Sequence, residues 1–294
     1  MKGILTGAAG MLAAEVGPQL KNSGFELTSI DINQRLTEIE KLDITDKDAL
    51  FKLVERVKPG FIFHLAAETD VDRCEREPDH AYKVNTIGTE NVALACQKYG
   101  VKLLYVSTAG VFFGDQQDPY TEFDHPRPAN VYGHSKLQGE VIVKNLLSEY
   151  FIVRAGWMVG GWEIDKKFVY KIVQQLKSGA TELKVVSDKI GSPTFTKDFA
   201  KNIVPLIKSE RYGLYHMTNQ GSGSRYDIAL KIVELMGFKD KVKVHAINSA
   251  QFPLPAPRAR SEMMRNYHLD LVGLNQMPHW EKSLEEYIRA NKNR

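Results

Sequence analysis

Cysteine is scarce in this sequence, which has two among 294 residues. Cys74 and Cys96 have neither the spacing of a zinc site nor the number that a disulfide framework requires. The eight histidines form no His-Glu-x-x-His motif or other cluster typical of a catalytic metal. We therefore expect two inert thiols and no metal ligands.

Long apolar runs and an excess of charge are also missing. No run approaches the ~18 apolar residues of a membrane span, and no basic segment followed by an apolar one opens the chain. We therefore expect a cytoplasmic protein that binds no membrane. The formal net charge is only +3, with basic and acidic residues interspersed, which argues against a nucleic-acid partner. The 43% of hydrophobic residues is enough to bury a substantial core.

Short apolar strands alternate with helices through the first half of the chain. This order is typical of a doubly wound parallel sheet, so we predict a Rossmann-type α/β fold. We expect an NAD(P)-binding domain over 1–155 and a smaller α/β substrate lobe over 156–294, with some segments of the lobe returning to the first domain. The predicted strands are 3–6, 26–31, 61–65, 102–107, 183–186 and 242–244, and the predicted helices include 47–57, 79–99, 166–177, 197–208 and 225–236.

A glycine-rich turn follows the first predicted strand. Gly7 and Gly10, in the pattern Gly-x-x-Gly-x-x-Ala, allow a tight turn and a close approach of backbone to a cofactor diphosphate. Asp31 ends the second strand, where a carboxylate can accept hydrogen bonds from an adenosine ribose and repels a 2′-phosphate. The cofactor is therefore expected to be NAD(H) or NADP(H). The Asp31 carboxylate favours NAD(H), while Arg35 nearby keeps NADP(H) open.

Tyr132 and Lys136 are four residues apart on a predicted helix and thus project from one face. An ammonium beside a phenol favours the ionised phenol, so we expect Lys136 to lower the pKa of Tyr132. Thr108 lies at the carboxyl end of a buried strand, where it can hold a substrate carbonyl against the phenol. Together the three side chains are suited to reduction of a ketone by a nicotinamide cofactor.

Several ordered motifs give the chain a family resemblance over nearly its whole length. They are 7–12 (GAAGML), 42–46 (LDITD), 69–75 (TDVDRCE), 130–136 (NVYGHSK), 154–157 (RAGW), 190–194 (IGSPT), 215–218 (YHMT), and Pro257-Arg258 followed by Ser261. With these motifs the chain resembles the extended short-chain dehydrogenase/reductases, and specifically the dTDP-4-dehydrorhamnose reductase family. The resemblance implies reduction of the 4-keto group of a nucleotide-linked 6-deoxy sugar, within nucleotide-sugar and polysaccharide biosynthesis.

The resemblance also implies roles for individual residues. Thr108, Tyr132 and Lys136 would be catalytic, and Asn85 would fix backbone geometry beside Lys136. The expected cofactor-binding residues are Gly7, Ala9, Gly10, Met11, Leu12, Asp31, Asp43, Ile44, Leu65, Ala66, Ala67, Asn85, Tyr132 and Lys136. The expected substrate-binding residues are Thr69, Val71, Trp157 and Arg258, the last as a guanidinium clamp on the substrate diphosphate. No metal is expected, and a homodimer is one arrangement that we consider.

The chain departs from the family pattern beside the expected sugar site. The family usually has Ser-Thr-Asp-Tyr where this chain has Ser107-Thr108-Ala109-Gly110, and it has an aromatic residue at Glu68 and a proline at Ala259. The missing Asp and Tyr would reach sugar hydroxyls. Because a site that hydrogen-bonds a hydroxyl discriminates strongly, their loss leaves the identity of the sugar open.

Two other functions stay open on the same scaffold. A sugar-nucleotide epimerase has a looser version of the 107–112 strand and keeps its NAD bound through the catalytic cycle. A non-catalytic regulatory subunit would bind cofactor only to tune a partner, but it would have no need of Thr108, Tyr132 and Lys136 together. A dehydratase is disfavoured because Ala109-Gly110 cannot supply the Asp-Glu pair that it usually has.

Overall fold

The structure is a computed structural model that describes residues 1–162, 164 and 167–292. The first half of the chain alternates strands with helices as predicted. Its elements are β1 (Lys2–Thr6), α1 (Ala13–Asn22), β2 (Glu26–Asp31), β3 (Ile39–Lys41), α2 (Lys47–Val57), β4 (Phe61–His64), α3 (Val71–Arg76), α4 (Pro78–Tyr82), a π-helical turn (Lys83–Ile87), α5 (Gly88–Tyr99), β5 (Lys102–Thr108), a 3₁₀ turn (Ala109–Val111), α6 (Val131–Leu146) and β6 (Tyr150–Ala155).

The second half has shorter strands. Its elements are β7 (Trp157–Val159), α7 (Phe168–Lys177), β8 (Glu182–Val186), β9 (Ile190–Gly191), β10 (Pro193–Phe195), α8 (Thr196–Lys208), β11 (Gly213–His216), β12 (Gly223–Ser224), α9 (Arg225–Leu235), β13 (Lys243–Ile247), a 3₁₀ turn (Ser249–Gln251), β14 (Ser261–Glu262), α10 (Tyr267–Leu271) and α11 (Trp280–Asn291). The predicted start of α7 at Lys166 lies outside the described residues.

The predicted parallel sheet is confirmed. Seven strands follow the order β11-β6-β5-β4-β1-β2-β3, and each neighbouring pair runs parallel. The chain works outwards from β1 in one direction through β2 and β3 and in the other through β4, β5 and β6. In such sheets ligands bind outside the carboxyl ends of the strands, at the point where the strand order reverses. That point lies between β1 and β4.

Helices cover both faces of the sheet. One buried apolar cluster lies beneath α1 and α8, with Leu5, Val16 and Phe199 among its members. A second cluster lies on the opposite face, where Leu50 of α2 and Val92 of α5 pack against the strands. Because both faces are covered, the central strands are buried on both sides, as in β4, whose four residues are all buried.

The second half of the chain forms an apolar cluster of its own and also extends the large sheet. Helices α7, α9 and α11 surround a third apolar cluster next to the parallel pair β8 and β13, and Trp162 and Trp280 are buried in this cluster. In contrast, β11 extends the large sheet beside β6, and α8 packs against α1. Among the described residues we find no helix with the length and apolar character needed to cross a bilayer.

Both cysteines are buried, Cys74 in α3 and Cys96 in α5. Burial raises the pKa of the Cys74 thiol to about 12 and also raises the pKa of Cys96. A thiol with so high a pKa stays protonated near neutral pH and is a weak nucleophile.

Candidate active site

The glycine-rich turn joins β1 to the helix that follows at the reversal point of the sheet. Gly7 has a φ of 69°, and a Cβ atom there would lie 2.6 Å from the backbone nitrogen of Ala66. Only glycine therefore fits between the end of β1 and the segment after β4. The two ends are also tied together by Thr6, whose Oγ1 accepts a hydrogen bond from the Ala66 nitrogen at 3.2 Å.

Asp31 ends β2 beside this turn. Its Oδ2 accepts a hydrogen bond from the backbone nitrogen of Ala9 at 3.0 Å, and its Oδ1 accepts one from Asn33 at 2.8 Å. The carboxylate is thus fixed against the turn by two backbone donors, while Arg35 lies on the same cleft.

A cleft of about 1440 Å³ starts at this turn and extends to the second half of the chain. All of the predicted site residues except Asn85 lie along it: Gly7, Ala9, Gly10, Met11, Leu12, Asp31, Asp43, Ile44, Leu65, Ala66, Ala67, Thr69, Val71, Thr108, Tyr132, Lys136, Trp157 and Arg258. Residues from eight or more separate segments are therefore brought to one surface by the topology of the sheet.

Thr108 and Tyr132 meet where β5 ends and α6 begins. The Oγ1 atom of Thr108 accepts a hydrogen bond from the Gly110 nitrogen at 3.0 Å, and Asn130 caps α6 by accepting one from the Gly133 nitrogen at 2.9 Å. A Cβ atom at Gly133 would lie 2.0 Å from the carbonyl oxygen of Gly110, so glycine is what lets α6 approach the turn after β5.

The predicted lowering of the Tyr132 pKa is wrong for this structure. Burial raises the pKa of Tyr132 to about 12, although a hydrogen bond with Thr108 acts in the opposite direction. Negative charge at Glu262 and Glu68 also raises it. The phenol is therefore fully protonated near neutral pH, as a proton donor has to be.

Lys136 is itself buried beside the end of β5. Its side chain is 2% exposed, its Nζ donates a hydrogen bond to the Val106 carbonyl oxygen at 2.9 Å, and the same atom lies 4.1 Å from the centre of the Tyr105 ring. Burial lowers the pKa of Lys136 to about 7, while Glu140 acts in the opposite direction. Near neutral pH the amine is thus charged only part of the time, and a neutral amine does not favour a phenolate.

A buried ion pair that the sequence analysis missed supports the end of β5. Glu140 of α6 accepts hydrogen bonds from Arg154 Nε at 2.8 Å and Nη2 at 2.7 Å, and both side chains are at most 1% exposed. Ser107 donates to the same carboxylate at 2.6 Å. Because Ser107 precedes Thr108, this network fixes the strand end that presents the Thr108 hydroxyl. The residues are far apart in sequence, and Ser107 and Arg154 stood in quoted segments whereas Glu140 did not.

Asn85 does not line the cleft, and its expected contact with a cofactor stays a prediction. Its side chain is fully buried in the π-helical turn, where Oδ1 accepts from the Glu68 nitrogen at 2.8 Å. Its Nδ2 donates to the Glu68 carbonyl oxygen at 3.1 Å and to Ser135 Oγ at 3.0 Å. These bonds join the segment after β4 to the residue that precedes Lys136, which fits the expected role in fixing backbone geometry.

The departures from the family pattern occupy different surroundings. Ala109 is 2% exposed in a small apolar cluster with Phe112 and Met264, whereas Gly110 borders the cleft. Glu68 accepts hydrogen bonds from Arg73 at 3.0 Å and from His80 at 3.2 Å, so its carboxylate is held by its own loop and helix neighbours.

Trp157 and Arg258 lie at the far end of the cleft. The Trp157 ring lies 3.9 Å from the Arg225 guanidinium carbon, and its indole nitrogen donates a hydrogen bond to Glu262. Arg258, expected to clamp a diphosphate, pairs here with Asp72 at 2.9 Å and also donates to the Ala256 carbonyl oxygen. The guanidinium is thus held at the rim of the cleft by a carboxylate.

Comparison of the sequence with protein families gives a match over residues 1–293 to the family described as RmlD substrate binding domain. A dTDP-4-dehydrorhamnose reductase of Mycobacterium tuberculosis is 33% identical over 295 residues, which cover 99% of this chain and 93% of that protein.

Comparison with solved structures gives equally complete matches. A crystal structure of a dTDP-4-dehydrorhamnose reductase from Clostridium acetobutylicum superposes with a TM-score of 0.92 at 39% identity, covering 99% of both chains. The crystal structure of dTDP-4-dehydrorhamnose reductase from Bacillus anthracis, in complex with NADP, gives a TM-score of 0.91 at 38% identity, again over 99% of both chains.

Proposed function

The chain belongs to the family described as RmlD substrate binding domain. On that basis we propose that it is an NAD(P)H-dependent oxidoreductase that reduces the 4-keto group of a nucleotide-linked 6-deoxy sugar. The observation that carries the proposal is the meeting of Thr108, Tyr132 and Lys136 on one cleft with the glycine turn at Gly7. Relatives that match over the whole chain are named dTDP-4-dehydrorhamnose reductases, which supports the same reaction here.

The residues around the glycine turn fit a dinucleotide. The absence of a side chain at Gly7 lets the end of β1 approach the Ala66 backbone, and the cleft continues past Asp31 on one side and towards Tyr132 on the other. Gly7 to Leu12 would hold the diphosphate and Asp31 the adenosine ribose. The adenine would lie between Asp43 and Ile44, and Leu65, Ala66 and Ala67 would line the path to the reacting ring. When bound, the reduced nicotinamide supplies a hydride.

NADH is our proposed preference within this cofactor class. The Asp31 carboxylate is held in place by the backbone nitrogens of Ala9 and Asn33, so it cannot easily turn away from a 2′-phosphate. Arg35 lines the same region and is the residue that would accept such a phosphate. The relative from Bacillus anthracis was solved with NADP, so both cofactors belong in the assay.

The chain's own residues can carry out the acid step. A phenol with a pKa of about 12 is loaded with its proton near neutral pH, and Tyr132 would donate that proton to the carbonyl oxygen of the substrate. The Thr108 hydroxyl, beside the phenol, would hold the same oxygen. Lys136 would hold the cofactor ribose, and its pKa of about 7 allows it to gain or lose a proton at working pH.

The second half of the chain would hold the rest of the substrate. We infer that residues 1–155 bind the cofactor and 156–294 supply most of the sugar-nucleotide contacts, with Thr69 and Val71 completing the sugar pocket. Trp157 would lie against the sugar, and Arg258 would exchange its partner Asp72 for the substrate diphosphate. We also propose that the reaction is cytoplasmic and that a homodimer is the form to test by light scattering.

The experiment is oxidation of NADH and of NADPH, followed by absorbance, with a panel of 4-keto nucleotide sugars that starts with dTDP-4-dehydrorhamnose. We expect substrate-dependent oxidation by the wild type, with Tyr132→Phe as the inactive control. Absence of oxidation with every ketone would contradict the proposal. In that case, NAD that survives purification and gel filtration would favour the epimerase.

A further inference from the structure

Glu262, which the sequence analysis did not single out, belongs to a small sheet beside the cleft. This sheet has the order β12-β9-β14, and Glu262 pairs with Gly191 in parallel register. Gly191 in turn lies against Trp157, because a Cβ atom there would be 2.4 Å from the indole ring. The pairing therefore brings the Glu262 side chain next to the indole, whose nitrogen donates a hydrogen bond to the carboxylate.

The same carboxylate lies on the cleft that holds the proposed catalytic groups. Glu262 lines the cleft together with Thr108 and Tyr132. Its negative charge also contributes to raising the pKa of Tyr132, after the larger effect of burial. In the turn after β5, Ala109 is buried and Gly110 has no side chain. The turn after β5 therefore offers no carboxylate to a ligand, whereas β14 does.

We propose that Glu262 is a specificity-determining residue whose carboxylate accepts a hydrogen bond from the sugar hydroxyl next to the reduced carbonyl. This inference rests on the proposed function. An ionised carboxylate has about four lone-pair sites, and the Trp157 indole occupies one of them. In a 4-keto-6-deoxyhexose the neighbouring carbon on one side bears the 3-hydroxyl, while the other bears the methyl group. The 3-hydroxyl is therefore the donor that Glu262 would recognise.

The first test compares the wild type and Glu262→Gln on a 4-keto nucleotide sugar and on its 3-deoxy analogue. A hydrogen bond to a charged partner predicts a loss of about 10- to 100-fold in kcat/KM for Glu262→Gln on the parent substrate. The loss on the 3-deoxy analogue should be under about threefold, because the donor is already missing. The affinity for NADH should not change. The matched control Glu286→Gln, on the exposed side of α11, should behave as the wild type.

A second variant changes the other partner of the carboxylate. Trp157→Phe keeps the carboxylate but removes its indole donor, so it should give a smaller loss that still depends on the 3-hydroxyl.

Binding by calorimetry separates this inference from the proposed function. In Glu262→Gln we expect weaker binding of dTDP-L-rhamnose and unchanged binding of dTDP, whether or not any ketone is reduced. If no ketone were reduced by the wild type, the proposed reaction would fail while this comparison still decided the role of Glu262. Equal binding of dTDP-L-rhamnose by both proteins, or an equal loss for dTDP, would overturn the inference.

Discussion

Replacing Lys136 with methionine should stabilise the protein while abolishing turnover. The amine is 2% exposed, and its pKa falls from the ordinary 10.5 to about 7 because burial disfavours its charge. A folded state that binds a proton less tightly than the unfolded chain loses stability wherever the unfolded chain is protonated. Methionine has a similar length and no charge, so it removes this penalty.

The shift in pKa sets the size of the effect. A fall from 10.5 to about 7 corresponds to about 5 kcal/mol of unfavourable free energy, as an upper limit. The variant also loses the hydrogen bond to Val106 and the contact with the Tyr105 ring, which together offset roughly 2–4 kcal/mol. We therefore expect a net gain of ~1–3 kcal/mol, equivalent to a rise in Tm of ~2–4 °C per kcal/mol.

Thermal unfolding without cofactor, measured from pH 7 to pH 10.5, tests this reasoning. The unfolded chain keeps the proton up to about pH 10.5 and the folded chain only up to about pH 7, so the penalty is complete below pH 7 and disappears as pH rises through this range. The gain in Tm should therefore be largest at pH 7 and should turn into a loss at pH 10.5, where the penalty is nearly gone and the lost hydrogen bond to Val106 remains. Lys52→Met, on the exposed face of α2, is the control. A Tm for Lys136→Met at or below that of the wild type at pH 7 would refute the argument.

Four further changes have defined outcomes. Tyr132→Phe should lower kcat by ~10²–10⁴ and leave Tm and cofactor affinity unchanged, because only the positioned acid is lost; near wild-type kcat would refute the role. Arg258→Ala should raise the KM for a nucleotide sugar and not the Kd for NADH, and Arg258→Lys should recover only part of the loss because it lacks the fork geometry. Asp31→Ala should improve NADPH binding relative to NADH in calorimetry, since a fixed carboxylate is removed. Glu140→Gln should lower the free energy of unfolding in urea by ~3–5 kcal/mol, because it leaves the buried Arg154 charge unpaired.

Sequence reasoning predicted the first half well because its signals are local. The helix predicted over 47–57 matches α2, since Asp46 accepts a capping hydrogen bond from the Ala49 nitrogen and Lys58 ends the helix in a left-handed conformation. The strand predicted over 26–31 likewise matches β2. The helical stretch 79–99 is also found, but its π-helical turn is not visible in the pattern. That turn is what aims Asn85 at Glu68 and Ser135 instead of at the cleft.

The second half and the titration behaviour depend on contacts that sequence patterns do not contain. Strands β9, β12 and β14 have two residues each, too few to show a period, and β14 pairs with a strand about 70 residues earlier. Glu262 therefore could not be found before the structure. The direction of the Tyr132 pKa shift could not be predicted from the sequence either. The spacing identifies Lys136 as a neighbour but does not show that burial lowers the pKa of Lys136 and so removes much of the charge of its amine.

Ala109 and Gly110 stand side by side in the sequence, and the structure places only Gly110 on the cleft. A longer side chain at 109 would enter the apolar cluster around Phe112, whereas a Cβ atom at 110 would lie 3.3 Å from Thr108 Oγ1 and 3.5 Å from the Tyr132 ring. Glycine at 110 thus keeps space open directly beside the two hydroxyl groups of the proposed acid step. Because neither Ala109 nor Gly110 carries a polar side chain, the turn after β5 offers no side-chain hydrogen bond to a sugar hydroxyl, and in our proposal Glu262 of β14, which lines the same cleft, supplies one.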